Sequence, residues 1–188
     1  GTFDTSIEKA LSHIDSLFIT ILREFEAKAQ LTVQEKSDMS VCLAFLYTRT
    51  PKFQKDYEQM INTTTKEIFK MTQNEERVKK TLESMRKDPS EASKVVKFIK
   101  EKQYDIIIPR EESLRMMIEI VPKLQPAFNM YDWAIFKAPR GSSFITSDNP
   151  IMMMPPKDYK PNSFYGVGFL TPGVSFFLPL SSKLLLCI

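Results

Sequence analysis

The sequence predicts an α+β fold: an N-terminal helical layer of about five or six helices, then a mostly antiparallel C-terminal sheet. Three observations carry this. Up to about residue 130, apolar residues recur in steps of three and four, the period of a helix with one buried face. Four of the five glycines, Gly141, Gly166, Gly168 and Gly173, fall in the last third. Around them stand the strand-favouring runs Trp133-Ala-Ile-Phe136, Ser143-Phe-Ile-Thr146, Val174-Ser-Phe-Phe177 and Leu184-Leu-Leu186. A chain of 188 residues fits a single domain, 1–188, in which residues 1–130 are helical and residues 131–188 are β-rich.

The first helix starts from the capping spacing Thr5-x-x-Glu8 and buries Ile7, Leu11, Ile14, Phe18, Ile21 and Phe25. Thr32-x-x-Glu35 repeats the signal, and Met39, Cys42, Leu43 and Leu46 share a face, so a second helix runs to about Thr48 and packs antiparallel on the first. Thr50 caps a third helix that begins at Pro51, where a missing N–H costs nothing. Asn74 and Asp88-Pro89 start two shorter helices. Leu114, Met117, Ile118 and Val121 mark a last helix, which Pro122 and Pro126 are expected to break. Ala138-Pro-Arg-Gly-Ser142 reads as the turn of a hairpin, and Met152-Met-Met154 as strand and core filler.

Charge selects no partner. With 26 bases, 23 acids and a net charge of +3, the chain lacks the basic excess of a dedicated nucleic-acid binder. The most basic stretch, Arg77 to Lys102, holds nine bases against four acids, but its apolar spacing puts the lysines on the outer faces of two helices, without interleaved aromatic rings for base stacking. No strong nucleic-acid binding is expected. No apolar run reaches the ~18 residues of a membrane span, so the protein is expected to be soluble and cytoplasmic, without a membrane partner. Cys42 and Cys187 stand far apart in helix and strand patterns, and His13 is the sole histidine, so neither a disulfide framework nor a metal site is expected. The apolar run Lys183-Leu-Leu-Leu-Cys-Ile188 is expected to leave a strand edge that a missing segment or a second copy covers, making a homo-oligomer possible.

The candidate site is Phe144-Ile-Thr-Ser-Asp-Asn-Pro150, where an ionisable group, an amide and two hydroxyls lie between an apolar run and a proline. Asp148 follows a strand pattern and could serve as a base or cation ligand, with Ser147 and Asn149 as binding groups. The same three residues are turn formers, each able to bond its own backbone. Ser147-Asp148-Asn149 also matches one element of the penicillin-recognising serine enzymes; no Lys-Thr-Gly follows, so that assignment fails. Arg49, between a helix end and Pro51, could clamp an anion or cap the carbonyls before it.

Taken in order, Ile7-Glu8, Phe45-Leu-Tyr-Thr-Arg-Thr-Pro51, Trp133, Phe144-Ile-Thr-Ser-Asp-Asn-Pro150 and Phe177-Leu-Pro-Leu-Ser181 resemble the family called domain of unknown function 4238. The resemblance covers nearly the whole chain. It implies a bacterial protein and singles out Arg49, Thr50, Pro51, Trp133, Ser147, Asp148, Asn149, Pro150, Pro179 and Leu180; members of the family usually also carry an upstream His-Tyr-x-Pro segment, which this sequence does not contain. It carries positions and no reaction. Two functions are therefore open: a module binding a small ligand or a protein, with Trp133 among its contacts, or a hydrolase-like or phosphate-handling enzyme with Asp148 as base and Arg49 as anion clamp. No cofactor is specified.

Overall fold

A capping box sets the first corner. In the computed structural model, which describes residues 6–28, 30–71, 74–101, 104, 106–160 and 167–188, helix α1 spans Ser6–Lys28 and α2 spans Val33–Thr48. The Thr32 hydroxyl accepts from Glu35 N at 3.2 Å, and the Glu35 carboxylate accepts from Thr32 N at 2.6 Å. That backbone N–H holds the Glu35 carboxyl down at about 2. The cap expected at Thr5 lies outside the described residues. Ile14 meets Cys42, and Lys28 lies 3.9 Å from Glu35, so the two helices run antiparallel.

The chain groups into two compact units, Gly1–Phe53 with Ser113–Ile188, and Gln54–Glu112. The second unit holds most of α3 (Pro51–Met71), α4 (Glu75–Ser84), a 3-10 turn (Pro89–Glu91) and α5 (Ala92–Glu101). α3 and α4 start where the sequence predicts, whereas Asp88-Pro89 opens a 3-10 turn and α5 itself begins only at Ala92. Thr50 Oγ1 accepts from Phe53 N at 3.1 Å, Asn74 Oδ1 from Glu76 N at 2.9 Å and Asp88 Oδ1 from Ser90 N at 2.9 Å.

In the first unit, α6 runs unbroken over Arg110–Met130 with Pro122 and Pro126 inside it, against the expected break. Both prolines are exposed, while Met117, Val121 and Phe128 are buried. Strands β1 (Ala134–Lys137), β2 (Met152–Met154), β3 (Ser175–Pro179) and β4 (Leu184–Cys187) form one antiparallel sheet in the order β1-β4-β3-β2. Among the described residues, six helices followed by this sheet make the α+β fold that the sequence predicts. Its inner face carries Phe176, Leu178 and Leu186 onto Met39, Leu43, Val121 and Phe128. Phe169 stacks edge-on to Phe128 and Tyr47 at 5.2 and 4.9 Å, tying the approach to β3 into this core.

Four further expectations are corrected. Ser143–Thr146 forms no strand: Ile145 is 87% exposed, so the run has no face to bury, and Phe144 N makes a single bond to Ser182 O at 2.9 Å. Pro139–Ser142 does turn, with Ser142 N bonded to Pro139 O at 3.0 Å and Gly141 at φ 81°, but it leads to no hairpin because β1 pairs with β4. The C-terminal strand is not an edge. β4 lies between β1 and β3, so Leu184–Cys187 is paired on both sides and the edges are β1 and β2. Of the run Met152–Met154, Met152 and Met154 are each 51% exposed on β2 and are strand residues but not core filler, whereas Met153 packs against the core.

Candidate functional site

Arg49 closes α2, its N–H bonded to Phe45 O at 3.0 Å. Its guanidinium reaches across to α1 and grips Asp15 with both prongs, Nη2 to Oδ1 at 2.9 Å and Nη1 to Oδ2 at 3.1 Å. The side chain therefore neither caps carbonyls nor stands open to an anion. Such a two-pronged, partly exposed pair contributes up to about 1 kcal/mol. Asp148 is exposed, and its carboxylate makes no ion pair or hydrogen bond among the described residues. Ser147 Oγ accepts from Asn149 N at 3.1 Å, the local bond of a turn former. Pro150 is half-buried and Ile151 fully buried, anchoring the bend in the core. Nothing joins Arg49 to Asp148.

Trp133 stands in a different setting. It immediately precedes β1, and Ile135, two residues on, shares its side of the extended chain. The indole Nε1–H donates to Phe128 O at 3.0 Å, which fixes the ring. Opposite, the corner between α1 and α2 supplies Phe25, Gln30 and Leu31, and α2 supplies Lys36. These six residues line a cavity of about 310 Å³. Its walls mix the apolar side chains of Phe25, Leu31, Trp133 and Ile135 with a comparable polar surface, to which Gln30 and the single cation Lys36 belong.

Lys36 is the residue that sequence reading passed over. Its Nζ donates to Tyr131 O at 2.7 Å and lies 5.6 Å from the centre of the Trp133 ring. Among the described residues no carboxylate lies within ion-pair distance of it. A base in the first turn of a helix also opposes the helix dipole. That contrary position was the one signal in the sequence, and it is weak, since an exposed lysine costs little there. Two donor positions of the ammonium remain for a ligand.

No described residue set competes with this cavity as a reactive centre. Burial first, then the charges of Asp38 and Asp15, push the Cys42 thiol up to about 11, so it is no nucleophile near neutral pH. Burial also raises Cys187. Both thiols are free, and among the described residues no three His, Cys, Asp or Glu side chains converge as metal ligands. Among the described residues no helix is long and apolar enough to cross a membrane.

A family model described as "Protein of unknown function (DUF4238)" matches residues 1–188. No curated protein and no solved structure matches the chain.

Proposed function

Given that the chain belongs over its full 188 residues to the DUF4238 family, whose description carries no reaction, we propose that it is a ligand-binding module whose site is the cavity between Trp133 and Lys36. The observation that carries this reading is one ammonium with spare donors set among Phe25, Leu31, Trp133 and Ile135. Such a cavity favours a small amphiphilic anion, a carboxylate or phosphate head on an aromatic or branched apolar body. The head meets Lys36 while the body displaces water from the walls. A volume of about 310 Å³ lies at the small end of ligand sites, so the body is limited to roughly one ring. Trp133 is the binding residue common to the family resemblance and the cavity. Ser147 and Asn149 do not line the cavity.

The enzyme reading, with Asp148 as base or cation ligand and Arg49 as anion clamp, has less support, because Arg49 is already satisfied by Asp15. The chain has a single tryptophan, so its emission reports on the cavity directly. Titration with aryl carboxylates should shift that emission saturably, with the matching carboxamides at least about tenfold weaker, as loss of one charge-assisted bond implies. Lys36→Met should erase the difference. If no acid gives a saturable change, or if Lys36→Met binds acid and amide as the parent does, the reading fails.

A further inference from the structure

The second unit carries an apolar groove that its described residues leave open. Among the described residues of 54–112 only Ala92 and Val96 are buried. The groove, of about 460 Å³, lies between α3, α4 and α5, with Val78, Leu82, Val95 and Ile99 as its half-buried floor. Ile68 and Met85 stand at its margins, 50% and 65% exposed. A hydrophobic surface of this kind, left open beside charged residues, marks an interaction site.

The basic charge of the α4 to α5 stretch is only partly neutralised. Lys79, Lys94 and Lys97 each meet a glutamate one turn away on their own helical segment, at 3.4, 2.7 and 3.8 Å. Arg77, Lys80, Arg86, Lys87 and Lys100 have no carboxylate within ion-pair distance among the described residues. Arg77 itself lines the groove. The surplus is therefore positive between Arg77 and Lys102, nine bases against four acids, the stretch that supplies the α4 and α5 sides of the groove, although the unit as a whole is close to neutral.

We propose that this groove docks an acidic amphipathic helix of a partner protein. The wall from Val78 to Met85 is about 10 Å long at 1.5 Å per residue, room for two turns of a helix with apolar anchors at i, i+3, i+4 and i+7. Acidic residues flanking those anchors meet the unpaired bases. A flexible methionine at the margin adapts to anchors of different shape. A second copy of this chain brings like charge to the contact. A bilayer needs a protruding apolar face, and this one is concave. Nucleic acid gains little from an aliphatic floor that offers no stacking platform.

The test uses the whole 188-residue chain and a fluorescein-labelled synthetic peptide of about 18 residues, with leucine at the four anchor positions and glutamate on the flanks. Anisotropy should rise saturably. The same peptide with lysine for glutamate, and a scramble of the acidic one, should bind at least about tenfold more weakly, since each lacks one of the two complementary features. Met85→Ser, at an exposed position that tolerates change, should weaken the acidic peptide by about tenfold. Arg77→Glu should weaken it by a similar factor and flatten its salt dependence, with thermal melts checking that both variants fold. Equal binding of the three peptides overturns the proposal. So does no saturation at about millimolar peptide. Binding of phosphatidylserine vesicles or duplex DNA in place of the peptide, or a Met85-dependent dimer in light scattering, also overturns it and assigns the groove to that occupant.

Discussion

Cys42 is buried on α2 with its thiol directed at Ile14 O, 3.7 Å away, so its chemistry is set by packing. Burial and the charges of Asp38 and Asp15 raise its pKa from about 9 to about 11. A thiol raised in the folded state stabilises the protein fully below its unfolded value, and that contribution is lost as pH rises through the folded value. Unfolding midpoints in urea should therefore fall between about pH 9 and pH 11, and Cys42→Ala should show a shallower fall. Cys187, raised by burial alone, leaves a remainder of the same sign. Identical slopes in parent and variant would refute this account. Arg49 illustrates the same priority of packing: it is held by Asp15, 34 residues away on another helix, a partner that spacing cannot single out.

Among the elements, α6 is the one that runs against its own sequence. Two prolines within a 21-residue helix each remove a bond to the carbonyl four residues back, at Ile118 and Pro122. The helix holds because Met117, Val121 and Phe128, before, between and after those breaks, are buried. Proline in a helix interior costs about 3 kcal/mol relative to alanine, and some of that returns through the stiffer unfolded chain. Pro122→Ala should therefore stabilise the protein by about 1–2 kcal/mol, read as a higher urea midpoint at unchanged slope. A lower midpoint would mean that the proline contributes packing that its exposed position conceals. The sheet gives the complementary case. Trp133 and Ile135 face the cavity together through strand alternation, which a sequence does reveal, while Lys36 arrives there from a helix about a hundred residues earlier.

Across the whole molecule, burial is unevenly distributed. Met39, Leu43, Phe128, Phe176 and Leu186 are sealed in the first unit, whereas among the described residues the second buries only Ala92 and Val96. Local opening free energy follows buried apolar contact. Amide hydrogen exchange should therefore show residues of 54–112 opening at lower free energy than α2, β3 and β4. Equal protection in the two units would contradict it. The acidic amphipathic peptide, if bound at α4, should raise protection in α4 and α5 selectively.

The sequence by itself determined what depends on residues within about one helical turn or one strand alternation. The caps at Thr32, Thr50, Asn74 and Asp88 belong to this class, because a side-chain oxygen need only reach an N–H two or three positions ahead. So do the helical stripes, the change to strands near residue 131, and membership of the family. Tertiary structure alone decided what depends on distant partners. Leu184–Cys187 became an inner strand because Ala134–Lys137 and Ser175–Pro179 both pair with it, and Ser143–Thr146 stayed unpaired for want of a buried face. The prolines of α6 and the cavity joining Phe25, Lys36 and Trp133 belong here too. Hydrogen-bond caps are short-ranged and nearly independent of context, whereas apolar burial is non-directional, so which surfaces meet is settled only when the whole chain packs.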